Sequence, residues 1–243
     1  LEMDAGDVLR LGTHGGGGSL LVSHTGPGLG FVSTLAARRS SRFRPGGGLE
    51  SRSAVTRFLG LPSTAFYGPR LPDTAVTQYG GSFHGQVNPP QHNHLVAHYE
   101  RGQQDGGKRW DQLEGGDGNL IADLRNLMSD FGYLRYLRTG LAFADSVSLT
   151  GSYNAQREER VNQGGNGNPN GTITHQYERT RVLGTQAMLD KQRGRHALSV
   201  GADFYDEAIR APSHAFNPVT RVVTRPRPRV PDGASYRSYG AFV

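Results

Sequence analysis

The densest group of side chains that could bind something lies between Gln103 and Asn119. There Asp105, Asp111, Glu114 and Asp117 are spaced by glycines beside Lys108, Arg109 and the only tryptophan, Trp110. Carboxylates in a glycine-rich loop can hold Ca²⁺, and an indole can stack on a sugar or an aromatic ligand. The ligand spacing of an EF-hand is absent, so no metal is assigned here. Asp105, Lys108, Arg109, Trp110 and Asp111 stand as candidate ligand contacts; the plainer alternative is a solvated loop, with Trp110 at a membrane interface. A second candidate is the run in which Arg225, Arg227 and Arg229 alternate with Pro226, Pro228 and Pro231. Such a run is extended and polyproline-like. Arg227 and Arg229 could meet phosphates or an anionic ligand, or simply solvent.

Other chemistries are excluded or left without support. There is no cysteine, hence no disulfide, thiolate ligand or thiol nucleophile. On a strand, His94 and His98 would share a face about 13 Å apart, too far for one ion, and His92 falls in a turn. Gly80-Gly81-Ser82-Phe83-His84 lacks the last glycine of a nucleophile elbow. Gly15–Gly18 is followed by no Lys-Ser/Thr pair and is no phosphate loop. The expectation is a protein without catalytic residues, metal or cofactor.

Net charge is +6, and Lys occurs only at Lys108 and Lys191. The basic residues are scattered rather than interleaved with aromatics, so nucleic acid is not an expected partner. Mean hydropathy is −0.55, and no apolar run reaches the ~18 residues of a membrane-spanning helix.

The elements that must carry these residues are strands. In Asp145–Arg157, Val147, Leu149, Gly151, Tyr153 and Ala155 fall on one face, and Ser146, Ser148, Thr150, Ser152, Asn154 and Gln156 on the other. An alternation of about a dozen residues crosses a bilayer when tilted, with one face to lipid and one to water. Similar patterns occupy Ser19–Thr25, about Leu29–Arg44, Thr74–Val87, His94–Gly102, Ile173–Asp190 and Ala197–Ile209. Asp123–Arg138 also suits a helix but is assigned as a strand. Glu50–Leu59 is expected to form a short helix. The connections alternate: GPG, NPPQH, TGLAFA and KQRGR are short, and those opening at Pro45, Gln103, Val161 and Arg210 are long. Short turns thus lie at one rim and long loops at the other, as in outer-membrane barrels. The charged run Arg157–Arg160, with Asp145 at the opposite end, would flank the membrane or line the lumen.

Three stretches carry a resemblance. Tyr99–Met128, Gly151–Gly165 and Arg227–Val243 resemble the barrel of TonB-dependent outer-membrane receptors. The last is similar to the segment Asp232-Gly233-x-x-Tyr236-x-x-Tyr239-Gly240-x-Phe242 that opens a mid-barrel strand in that family. The resemblance runs from about Leu20 to Val243. It implies a 22-stranded barrel filled by an N-terminal plug, in the outer membrane of a Gram-negative bacterium, importing a scarce solute such as a siderophore, cobalamin or a glycan. It also implies lipid and lipopolysaccharide as neighbours and energy from the inner-membrane TonB complex, reached through a plug that this chain does not contain.

The expectation is therefore an all-β, antiparallel piece of a larger barrel. It comprises a connector with a weak strand over 1–18 and about ten strands over 19–243, its first and last strands unpaired. Two other architectures compete: a complete ten-strand barrel with a hydrolase site on its rim, as in omptin-type proteases, and a secreted β-sandwich that binds glycans.

Overall fold

The computed structural model describes residues 2–10, 15–42, 74–90, 92–107, 121–163 and 168–243, the first of these as backbone. Twelve strands run in order: β1 (Glu2–Arg10), β2 (Gly15–Thr25), β3 (Leu29–Ser40), β4 (Val76–Val87), β5 (Asn93–Gly106), β6 (Ile121–Thr139), β7 (Ser146–Gln163), β8 (Ile173–Arg193), β9 (His196–Arg210), β10 (Ser213–Phe216), β11 (Val223–Thr224) and β12 (Ser235–Phe242). No helix occurs among the described residues.

All twelve join one antiparallel sheet. Each strand from β1 to β9 pairs with its chain neighbours, and β12 pairs with β9. β10 pairs with the end of β8 that β9 does not reach, and β11 folds back on β10. Among the described residues β1 pairs only with β2, and β12 only with β9. The sheet is open, so neither a closed ten-strand barrel nor a two-sheet sandwich is formed.

Several sequence expectations change. Gly15–Gly18, expected as a flexible connector, is the first part of β2 and pairs with both β1 and β3. Flanking strands hold its backbone on both sides, which overrides the weak strand preference of glycine. The link between β1 and β2 spans only 11–14, on the rim of the long connections, so the alternation is not strict. Strand β7 continues to Gln163, shortening the next connection to 164–172. KQRGR is not a five-residue turn: Arg193 pairs with His196, leaving Gly194 and Arg195. Gly194 has φ 61°, the positive φ that tight primed hairpin turns need at their first central position. β10 and β11 were not foreseen; Asn217 turns them by accepting bonds from the Val219 and Thr220 amides at 2.9 and 3.1 Å. The expected helix over Glu50–Leu59 lies outside the described residues.

The registers fix how the strands stand. Leu29, the first residue of β3, is in one row with Val87, Leu95, Tyr136, Leu149, Ala187 and Ala202. Ala202 is already six residues beyond His196, where β9 starts. With the short turns level, the stagger is about one residue per strand. A rise of ~3.3 Å against a strand spacing of ~4.8 Å then gives a tilt of about 35°, as barrels require. Each residue climbs about 2.7 Å.

On one face most of the first ten residues above the turns are apolar, Ser33, Arg138 and Thr185 being exceptions. Leu35, Phe83, Tyr99, Leu134, Leu149, Leu183, Phe204 and Tyr239 all lie there, and all are exposed. Their band is about 25 Å tall, the height expected of a lipid-facing band. The opposite face is concave, because Thr34 on β3 and Thr180 on β8 line one cleft. It carries Ser146, Ser148, Thr150, Ser152, Asn154 and Gln156. Two glycines on this face admit aromatic rings: a Cβ at Gly201 would lie 2.3 Å from Phe242, and one at Gly184 would lie 2.6 Å from Tyr205.

At the short-turn rim, Asp145 ties the β6–β7 turn to β8. Its carboxylate accepts the Gln192 amide at 2.6 Å and the Lys191 ammonium at 3.1 Å. Those two contacts, the Gln192 amide first, hold its pKa below the ordinary 3.8.

Two outcomes follow. Leu149→Arg places a cation in the lipid band and costs about 2–4 kcal/mol of folding free energy in bilayers, whereas Thr150→Arg, one residue on, is nearly neutral; denaturant titration in vesicles reads the difference, and equal costs would reverse the facing. Because the folded pKa of Asp145 is depressed, its contribution is complete above the unfolded value and lost as pH falls through the folded one. Asp145→Asn thus melts below wild type between about pH 5 and 8, and the gap closes only in acid; a gap unchanged into strong acid would show that the charge does not matter.

Candidate functional site

The concave wall of β3 to β8 encloses a cleft of about 950 Å³ towards the rim of the long connections. Its side chains include Arg38, Gln78, Glu100, Gln104, Gln156 and Glu178. They converge because every second residue of each strand points inward and the sheet curves. Gln78 donates to Gln104 at 2.8 Å across β4 and β5. Such a lining offers both donors and acceptors to a polar solute.

One part of the wall is electrostatically unfavourable. Glu158 on β7 lies directly opposite Glu178 on β8, and like charges in that position repel. Arg160 pairs with Glu158. Glu178 Oε1 is buried and has no hydrogen-bond partner. Glu159, one residue on, points to the other face. Burial pushes its carboxyl up, but bonds from Asn126 and His175 outweigh that and leave it below the ordinary range. The positive φ of Asn126, 53°, accompanies the register shift between Arg125 and Met128 on β6.

Nearer the short turns, the concave face carries an aromatic row. His84 lies 5.7 Å from His98, His98 stacks on Tyr133 at 5.4 Å, and the Arg135 guanidinium lies 5.8 Å from the Tyr133 ring centre. His98 is 3.5 Å from Glu100. His84 and His98 meet only through the β4–β5 register, which the spacing of the two residues in the chain does not reveal.

The residues singled out from sequence are not gathered in this cleft. Asp105 belongs to strand β5 rather than to the loop, and it faces the convex side. It accepts from Tyr79 Oη at 3.1 Å and from Gln103 Nε2 at 2.9 Å. Lys108, Arg109, Trp110 and Asp111 lie outside the described residues. Arg227 and Arg229 are exposed in the connection between β11 and β12, whereas Asp105 is on β5. His94 bonds to Asn88 at 3.0 Å, while His98 packs in the aromatic row. Among the described residues no three His, Asp or Glu side chains are grouped to hold a metal ion.

No family model and no curated protein matches the chain. Eleven chains of known structure do. One, the copper transporter OprC, superposes with a TM-score of 0.65 at 13% identity. The match covers 98% of this chain and 32% of that one, so this chain spans about a third of its length. The likeness is one of fold: the open sheet is an antiparallel segment of a transmembrane β-barrel.

Glu178→Gln removes the like-charge pair and keeps a hydrogen-bonding side chain. It raises stability by about 0.2–1 kcal/mol, measured as a shift in thermal unfolding, and the gain shrinks at high salt. A loss of stability would show that Glu178 is already neutralised.

Proposed function

We propose that this chain is part of an outer-membrane transporter, specifically a receptor that takes up a scarce solute with energy from the TonB complex. One observation carries the reading. A single sheet presents a lipid-sized apolar band on its convex face and a polar cleft on its concave face, below the rim that bears the long connections. A wall of this kind separates lipid from a wet passage and does no chemistry on what passes. The likeness to part of a copper transporter supports transport as the general role. Copper is not carried over, since the described residues gather no metal-ligating group. The cleft's amides and carboxylates suit a solute rich in hydroxyl or amide groups, such as a glycan or a siderophore. Asp105, Lys108, Arg109, Trp110, Asp111, Arg227 and Arg229 are proposed as contacts at the outer rim. A plug and the TonB contact would be supplied by parts of the protein outside this chain.

The test uses the full-length protein in cells and in detergent. Solute panels are titrated against the fluorescence of the full-length protein and of its Trp110→Phe variant, so that the Trp110 signal is isolated by difference. Uptake is then followed with and without the proton-motive force. The expected result is a saturable change in the Trp110 signal with one solute class, and uptake that stops when the force is dissipated. Trp110→Ala weakens binding about tenfold, the worth of one aromatic stacking contact near 1.4 kcal/mol. Uptake that is insensitive to the proton-motive force would overturn the TonB-dependent reading and leave passive permeation.

A further inference from the structure

The convex face changes character immediately above its apolar band. Arg157 on β7 pairs in register with Arg179 on β8, and Arg179 pairs in register with Arg210 on β9. Arg181 lies on the same face, two residues below Arg179. Arg179, Arg181 and Arg210 are exposed. Like charges directly opposite on neighbouring strands repel, and here three stand side by side over about 10 Å.

Among the described residues no acid answers them. Asp130 is engaged by Tyr99 Oη at 2.9 Å and by Arg101 at 3.6 Å. Glu159 is taken by Asn126 and His175. Asp206 pairs with Arg237 at 2.7 Å, and Asp123 with Arg125 at 2.5 Å. None of Arg157, Arg179, Arg181 and Arg210 has an ion-pair partner among the described residues, and Arg157 Nε is buried without an acceptor.

Their height identifies the missing anion. At about 2.7 Å per residue, Leu183 and Asp206 stand about 27 Å above the short turns, and the four arginines about 30–38 Å. The row therefore lies at headgroup level, just above the hydrocarbon. Guanidinium groups grip phosphate through paired hydrogen bonds that a screened surface charge does not make. A lipid with one phosphodiester offers one anionic point; a row of three cations fits a headgroup with several.

We infer that Arg157, Arg179 and Arg210, with Arg181 below them, form a binding site for the phosphorylated sugar headgroup of an outer-leaflet glycolipid, lipopolysaccharide. This places the glycolipid on the outside wall of β7 to β9 rather than on the proline-spaced arginines 225–229. It rests on the outer-membrane orientation proposed above.

The test uses the full-length protein in detergent, with native mass spectrometry reading bound lipid. The probes are a bis-phosphorylated glycolipid, its dephosphorylated form, a zwitterionic phospholipid and inorganic phosphate. Wild type is expected to retain the bis-phosphorylated lipid at least tenfold better than the dephosphorylated one, with little competition from inorganic phosphate. Arg179→Gln combined with Arg210→Gln loses that preference, and Arg227→Gln combined with Arg229→Gln keeps it. Heat-modifiable gel migration checks that each variant is folded; if the double variant does not fold, Arg179→Lys alone, which keeps charge but not the paired hydrogen bonds, is expected to show a reduced preference. Equal retention of both lipids by wild type, or an unchanged preference in a folded Arg179/Arg210 variant, overturns the site. If preference is lost only with Arg227 and Arg229, the glycolipid sits on the loop instead. Membrane fractionation separates the two ideas: wild type absent from the outer membrane fells both, whereas wild type present there without phosphate preference fells only this one.

Discussion

The structure depends on keeping every backbone amide and carbonyl paired. Inside hydrocarbon no water can take an unmatched N–H or C=O, so a chain that crosses it as strands must be laddered without a gap. The registers of β2 through β9 meet that demand across the whole apolar band. The register shift at Arg125–Met128 occurs above it, where water is present. Glycine is tolerated for the same reason: Gly15–Gly18 has little preference for a strand, but two neighbours supply its hydrogen bonds. Side chains then choose the faces, and pairing chooses the register.

Tilt turns that ladder into layers. With about one residue of stagger per strand, height is read from distance to the nearest short turn and not along a hydrogen-bonded row. One row therefore passes from Ala37 and Tyr79 in the lipid band to Arg157, Arg179 and Arg210 above it. Carboxylates on the convex face sit at or above the band's outer edge and are paired there, while the concave face keeps its polar residues at every height. The two faces divide the work: one sets the depth of the protein in lipid, the other lines the cleft.

Much of this was legible in the sequence. The alternation in Asp145–Arg157 gave both the strand and its facing, and Asp123–Arg138, assigned as a strand, lies within β6. The site was less legible, because cross-strand neighbours depend on register. Ending β8 at Asp190 and starting β9 at Ala197 would place Arg179 beside Ala208; the two-residue turn at Gly194–Arg195 places it beside Arg210. Glu158 and Glu178 are likewise partners only through a register that the connection 164–172 does not reveal. Asp105 differs in another way. Composition marked Asp105 as part of a binding loop, but Tyr79 and Gln103 hold it on the strand, where it turns away from the cleft.

The alternation of side chains also governs how such a chain can travel. Apolar residues are spaced two apart, so no segment coiled as a helix gathers enough of them to lodge in a bilayer. The greasy surface exists only after neighbouring strands have paired and aligned Leu134 with Gly151 and Thr185 with Phe204. Unpaired, the polypeptide carries no stretch long and apolar enough to lodge in a bilayer as a helix. Its affinity for lipid is created by folding itself.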